Sequence, residues 1–242
     1  MHKSLEGIRI VELGTHVAVP LATRILTDWG AEVIKVESPN GEAYRMMGMV
    51  FGLPATEEFN VMFHALNANK KSICIDLKED GGVDTLLKLI ETADIFITNT
   101  RMKSLKKLGL DYESIKEAYP ELIYAHFSGY GSQGDEKDRP GFDVASFWAR
   151  GGALIEWMYQ ESVPNRPFYG FGDAATSTMM ATGLLNSLYS RRDTGKGEYL
   201  ELSLLGSALW YNTTGLLLGQ PQFGHSYPAS RYVPMDPMAP IY

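Results

Sequence analysis

The chain has 242 residues, of which 45% are hydrophobic and 21% charged, with a formal net charge of −7. This is the composition of a globular protein forming one large domain or two small ones. The acidic balance excludes a general nucleic-acid binder, so an anionic ligand needs a local basic patch. One cysteine, Cys74, leaves no internal disulfide and suits a reducing cytoplasm. The N-terminal residues lack the apolar core of a signal peptide, and no apolar run approaches the ~20 residues that span a bilayer. The expectation is a cytoplasmic protein without a membrane segment.

Residues 8–13 alternate and predict a strand, 20–29 a helix with Pro20 in its first turn, and 33–37 the next strand. Strand–helix–strand within about thirty residues is the size of a right-handed parallel unit. A looser segment at 38–68 precedes a strand at 72–77, a helix at 83–93 and a strand at 95–98. Short helices at 104–108 and 113–119, a strand at 122–127 and a helix at 143–151, capped by Asp143, follow. A long helix at 174–189, a strand at 198–202 and a helix from 204 to 218 complete the pattern. The alternation predicts an α/β fold: an open, mostly parallel, Rossmann-like sheet with helices on both faces. Residues 1–218 read as one large domain, and 219–242, carrying Pro221, Pro228, Pro234, Pro237 and Pro240, as an extended arm or linker.

The central stretch is Phe168-Tyr-Gly-Phe-Gly-Asp173, leading into the long helix. An Asp at that junction reads as an N-cap, favoured there by backbone N–H groups and the helix dipole. Gly172, without a side chain, would let another molecule approach the Asp173 carboxylate, which could then serve as a nucleophile. Arg101, Lys103, Lys106 and Lys107 cluster after the strand ending at Thr98, on the side where open α/β sheets bind ligands. They read either as a phosphate-neutralising patch or as a solvated helix face. Gly129-Tyr-Gly-Ser-Gln-Gly134 matches a dinucleotide fingerprint in letters, but the residues after it do not open a helix, so it reads as a surface loop. His2, His16, His64, His126 and His225 show no metal-ligand spacing, so no metal is expected. Cys74, within a strand, reads as a small buried apolar residue. Phe142, Phe147, Trp148, Trp157, Tyr159, Phe168, Tyr169 and Phe171 crowd around the central stretch, as core or as the lining of an apolar acyl pocket.

Gly7-Ile-Arg-Ile-Val-Glu-Leu13, Pro20, Asp28-Trp-Gly-Ala-Glu-Val-Ile-Lys-Val-Glu37, Asn67-Ala-Asn-Lys-Lys-Ser72, Asp76-Leu-Lys78, Asn99, Gly109-Leu-Asp-Tyr112, Gly129-Tyr-Gly131, Gly172-Asp173 and Thr194-Gly-Lys-Gly197 occur in order. As an ordered set they resemble the class III (CaiB/BaiF-type) coenzyme A transferases almost end to end. The resemblance implies that Asp173 is the catalytic nucleophile. It also implies transfer of coenzyme A from an acyl-CoA to a free carboxylic acid through aspartyl anhydride and aspartyl-CoA intermediates. Coenzyme A enters as part of the acyl-CoA substrate, with no metal. The implied CoA-facing residues are His16, Val17 and Ala18 in the loop after the first strand, Ile75, Asn99, Thr100, Arg101, Lys103, Lys107 and Tyr130. Formyl-CoA transferases carry a glutamine where this chain has Val17, so polar stabilisation there falls to backbone N–H groups or to residues elsewhere.

The 2-methylacyl-CoA racemases of the same family need a proton-transferring histidine where this chain has Phe142, which cannot exchange protons, so that alternative ranks below the transferase and the binding module. Pro140-Gly-Phe-Asp143 with Phe147 resembles the branch acting on aryl- or branched-chain 2-hydroxy acids. Family members are interlaced homodimers with a small second domain, and this chain stops where that domain is expected to begin. A non-catalytic CoA-binding or assembly module is therefore the alternative to a working transferase.

Overall fold

A computed structural model describes residues 3–56, 59–165, 167–223, 228–230 and 232. The chain divides into two compact units, Met1–Ser128 with Ala174–Leu202, and Gly129–Asp173 with Ser203–Tyr242.

The first unit is built on a sheet of six strands in the order β3-β2-β1-β4-β5-β6. The strands are β1 (Arg9–Leu13), β2 (Glu32–Glu37), β3 (Lys71–Cys74), β4 (Ile95–Thr98), β5 (Ile123–Ser128) and β6 (Tyr199–Ser203). The pairs β1–β2, β1–β4, β2–β3 and β4–β5 are parallel. This order reverses direction between β1 and β4, the topological switch of a doubly wound fold. Ile10, Val11, Ile95, Phe96, Ile97 and Ile123 are wholly buried, as strands covered on both faces must be. Leu86, Ile90, Leu105, Leu110, Ile115 and Tyr124 pack on Val11 and Phe96 to form one apolar cluster.

The helices of this unit are α1 (Ala18–Asp28), α2 (Met47–Val50), α3 (Val61–Asn67), α4 (Gly82–Ile90), α5 (Met102–Leu108) and α6 (Tyr112–Ile115), with a 3₁₀ turn at Ala43–Met46. The helix α1 begins two residues earlier than the sequence predicts, at Ala18 with Val17 as its N-cap. Pro20 remains in the first turn, where its missing N–H costs nothing. Strand β3 is shorter than expected, and Cys74 at its end is exposed rather than buried. The reason is position: β3 is an edge strand with a single neighbour, so the end of its surface has no layer to bury it.

In the second unit, residues 144–150 form a π-helix (Val144–Arg150) rather than an α-helix, followed by α7 (Ala153–Glu156). The long helix α8 spans Phe171–Thr194, starting three residues before the predicted 174; its residues through Asp173 fall in the second unit and the rest in the first. The single helix expected after β6 is two, α9 (Leu204–Tyr211) and α10 (Thr213–Leu218). They part at Asn212, whose side-chain amide donates to the Gly151 carbonyl at 2.9 Å. The segment 129–134 opens no helix, and Gly131 and Gly134 take φ of +86° and +80°, as a loop requires. Beyond a 3₁₀ turn at Pro221–Phe223, most of the expected proline-rich arm lies outside the described residues, as do His2 and His225. No helix among the described residues is long and apolar enough to cross a membrane.

Candidate active site

Asp173 is the third residue of α8, so it does not cap the helix as an isolated Gly-Asp pair would suggest. The cap comes from Asp143, thirty positions earlier, whose Oδ1 accepts the Asp173 backbone N–H at 2.8 Å. The Gly172 N–H also bonds to Asp143. Asp143 makes no side-chain cap bond to the π-helix that follows it; its second oxygen instead accepts Trp148 Nε1–H at 3.1 Å. One buried carboxylate thus satisfies orphan donors of another helix and fixes where its first turn lies.

Gly172 has a different task from the one its sequence context implies. A Cβ there would fall 2.3 Å from Phe147 Cγ and 2.4 Å from Asp143 Oδ1. The missing side chain makes room for Asp143 and Phe147, not for an incoming ligand. Gly170, with φ of +65°, supplies the left-handed turn into the helix.

Burial, with the Asp143 charge beside it, pushes the Asp173 carboxyl up to about 7. Burial also raises Asp143, against the bonds from the Asp173 and Gly172 N–H groups and the Trp148 indole. Two carboxyls this close in a partly desolvated place disfavour double ionisation. A carboxylate of raised basicity is a better nucleophile once ionised than a solvated one. Around the pair lies an aromatic cluster: Trp148–Trp157 and Trp157–Phe168 ring centroids are both 5.3 Å apart, and Trp148–Phe171 5.7 Å. Phe147 and Trp148 are buried core, whereas Phe142, Trp157, Phe168, Tyr169 and Phe171 keep large exposed faces.

In the first unit, the loop after β1 is shaped by unusual backbone geometry. His16 has φ of +62°, and its N–H donates to Glu42 Oε1 at 2.7 Å. Asn99 clamps the neighbouring residue from both sides, its Oδ1 accepting Thr15 N–H at 3.0 Å and its Nδ2 donating to the Thr15 carbonyl at 2.8 Å. Asn99 therefore spends its amide on this loop. Val17 is half-buried as the N-cap of α1, and Ala18 is buried, its carbonyl accepting Ser177 Oγ–H at 2.7 Å. The first-turn N–H groups of α1 have no acceptor within the helix, which leaves the dipole's positive end at this loop.

Thr100 accepts His126 Nε2–H at 3.0 Å, and burial lowers the His126 pKa, so that imidazole is neutral at pH 7. Arg101, Lys103, Lys106 and Lys107 are exposed on and before α5, and none of them forms an ion pair among the described residues. Ile75 is buried just beyond β3. Tyr130 belongs to the second unit, where its buried ring packs on Gly141. Among the described residues, no three of His, Cys, Asp and Glu group in a way that could hold a metal ion. The sequence pattern missed Asp143 as a partner of Asp173, and it missed the charged side chains beneath the His16 loop. A signal for the latter was present: Glu12 and Lys35 sit inside otherwise apolar strands, where a charge needs a partner.

Strand order and element content define a doubly wound α/β protein. The family model CoA-transferase family III matches residues 5–231, and the chain belongs to that family. It is 41% identical over 238 residues to the (R)-2-hydroxy-4-methylpentanoate CoA-transferase of Clostridioides difficile, covering 98% of this chain and 59% of the relative. It is 38% identical to the cinnamoyl-CoA:phenyllactate CoA-transferase of Clostridium sporogenes, covering 98% of this chain and 58% of the relative. A crystal structure of a CAIB/BAIF family protein from Brucella suis superposes with a TM-score of 0.83 at 31% identity, covering 90% of this chain and 58% of that one. The chain thus spans somewhat under two thirds of the length of these relatives.

Proposed function

We propose that this chain carries the nucleophile and the CoA-facing loops of a transferase that moves coenzyme A from an acyl-CoA to a free carboxylic acid. The observation that carries the proposal is Asp173, a carboxylate of raised basicity held by its own backbone to Asp143, in a member of this family. The Asp173 carboxylate attacks the thioester carbonyl; the C–S bond breaks, and a mixed anhydride and CoA thiolate result. The thiolate attacks the aspartyl carbonyl, releasing the first acid and leaving an aspartyl-CoA thioester. The second acid's carboxylate attacks that thioester to form a new anhydride and thiolate. Attack of the thiolate on the acyl carbonyl gives the new acyl-CoA and restores Asp173. Each step exchanges one activated acyl bond for another, so no further energy source is needed.

The acyl group is bulky: branched, aromatic or 2-hydroxylated. The names of the two relatives and the exposed faces of Trp157, Phe168 and Phe171 support this choice. The loop at His16–Ala18 receives the thioester end, and the α5 lysines receive phosphate. The complete form is a homodimer. Incubation with branched and aromatic acyl-CoAs followed by mass spectrometry tests the proposal, which requires an acyl or CoA adduct on the peptide containing Asp173. Absence of any adduct across such a panel would count against it.

The basic cluster gives a second expected result. Replacing Lys103 and Lys107 together weakens CoA binding, since a charge-assisted contact contributes about 1.5–3 kcal/mol. Dephospho-CoA is affected less if the 3′-phosphate is the group touched. Superimposable titrations of parent and variant with both ligands would mark these lysines as a solvated face.

Asp173 also sets a pH dependence. Only its ionised form attacks, so kcat/KM rises with pH and levels off above an inflection near 7. Asp143→Asn keeps an oxygen for the Asp173 N–H but removes the neighbouring charge, so the inflection moves to lower pH. An unshifted profile in that variant would mean that the Asp143 charge is not felt at Asp173.

A further inference from the structure

Beneath the loop after β1 lies a set of charged side chains shut away from water. Glu12 and Lys35 are 0% and 1% exposed. The parallel register of β1 and β2 places them side by side. Lys35 Nζ donates to Glu12 Oε1 at 2.7 Å and to the Gly14 carbonyl at 2.8 Å, and lies 2.5 Å from Glu42 Oε2. Lys70 Nζ donates to Glu12 Oε2 at 2.8 Å, to the Pro20 carbonyl at 2.7 Å and to Asn67 Oδ1 at 2.9 Å. Thr23 Oγ–H adds a bond to Glu12 Oε2 at 2.5 Å. Glu42 Oε1 takes the His16 N–H. Two carboxylates and two ammoniums balance to zero.

Three of these bonds run not between the charges but outward to the main chain: two to the loop, at the Gly14 carbonyl and the His16 N–H, and one to the first turn of α1, at the Pro20 carbonyl. The loop needs such a hold, because His16 sits in the left-handed region that a non-glycine residue enters at a cost. A buried ion cluster is weak as a source of stability, since apolar residues of the same shape serve as well. Its bonds to the main chain have no such substitute.

We propose that Glu42 is a positioning residue: through the His16 N–H it holds the loop at Thr15–Val17 in the shape that receives the CoA thioester, with Lys35 balancing its charge from beneath. This rests on the transferase reading for the identity of the ligand, though not for the hold itself. Glu42 is itself fixed from behind, because its N–H donates to Glu37 Oε2 at 3.0 Å and Glu37 is forked by Arg45 at 2.7 Å on each oxygen.

The test uses two double variants of the full chain, Lys35→Met/Glu42→Gln and Lys35→Met/Glu42→Leu. Both remove one positive and one negative charge and leave Glu12 with Lys70, so neither strands a buried charge. They differ in whether His16 N–H retains an oxygen acceptor. Thermal unfolding reports the fold, amide hydrogen exchange at His16 reports the hold, and calorimetric titration with CoA reports the ligand. Both variants should melt near the parent. The leucine variant should lose His16 protection and bind CoA roughly tenfold or more weakly, the worth of one charge-assisted hydrogen bond. The glutamine variant should recover most of both. Equal His16 exchange in the two folded variants overturns the proposal, as does unchanged CoA affinity in a leucine variant whose exchange has risen. Should the parent itself bind no CoA, the transferase reading fails, and the exchange comparison alone still decides whether the cluster holds the loop. Should the leucine variant not fold, Lys35→Met/Glu42→Ala, which also lacks the acceptor, takes its place: faster His16 exchange than in the glutamine variant upholds the hold, and equal exchange overturns it.

Discussion

Replacing Asp173 with alanine is expected to abolish transfer while making the folded chain more stable at alkaline pH. Loss of the nucleophile removes every covalent step, a fall on the order of 10⁴-fold or more in kcat. The stability change follows from the raised carboxyl. Asp173 titrates near 7 in the fold and near 3.8 as a free side chain, so the folded state keeps its proton to higher pH than the unfolded state. Stability therefore falls as pH rises from about 4 to about 7, by up to about 4 kcal/mol, and stays reduced above that range. Asp173→Ala removes this loss, so the variant should gain on the parent between pH 5 and pH 8 and not below pH 4. CoA binding should survive. Denaturant midpoints at three pH values and a transfer assay check both halves. A variant that still transfers CoA would end the assignment, and a stability gain that ignores pH would mean Asp173 is not held at raised pKa.

Glu12→Leu should be the most damaging single change to the fold. Burial disfavours the charge of Glu12, but the Lys70 and Lys35 ammoniums outweigh it and hold the carboxyl below its usual range. Burial, with Lys35 close by, already lowers Lys70 to about 8. Removing Glu12 leaves Lys35 and Lys70 facing each other with only Glu42 to balance them. Breaking a buried pair in this way costs about 3–5 kcal/mol, against a total of about 5–15 for a typical domain. The defect should ease with pH. A lysine whose folded pKa lies below its unfolded one gains stability as pH climbs from the folded value toward 10.5, and in the variant that window opens lower. Through Lys70, urea midpoints should therefore draw closer to those of the parent as pH rises toward about 8. A parallel offset at every pH would point to lost packing alone.

The contrast with Lys35→Met/Glu42→Gln carries the same logic. Deleting one member strands charge, whereas deleting an opposite pair does not. Stability and loop geometry can thus be separated in one cluster.

The six strands and most of the helices were legible in chain order, because apolar periodicity and capping residues act over a few positions; α2 and α3, inside the segment read as loose, and the short α7 were not. The strand at Ile95–Thr98 and the doubly wound class were legible for that reason. Asp173, set by two glycines at the mouth of a helix, and the α5 lysines, set by their spacing after a strand, were legible as candidates: the structure places the first in the opening turn of α8 and the lysines on an exposed face. Boundaries slipped where local signals compete: Val17 rather than Pro20 marks the start of α1, and Asn212 splits the helix predicted after β6. Only the tertiary structure decided what Asp143 does, because its partner lies thirty residues away and no local pattern joins them. The same holds for Gly172, whose missing side chain matters only once Phe147 and Asp143 have been folded against it. Cys74 is exposed because β3 falls at the edge of the sheet, and strand order is not written in the strand. Glu12 and Lys35 become a pair only through the register of β1 on β2, and Glu42 and Lys70 join them through loops that meet nowhere in the sequence. Propensity is local and pairing is not, so chemistry that resides in single residues could be read along the chain. Chemistry that resides in pairs had to wait for the fold.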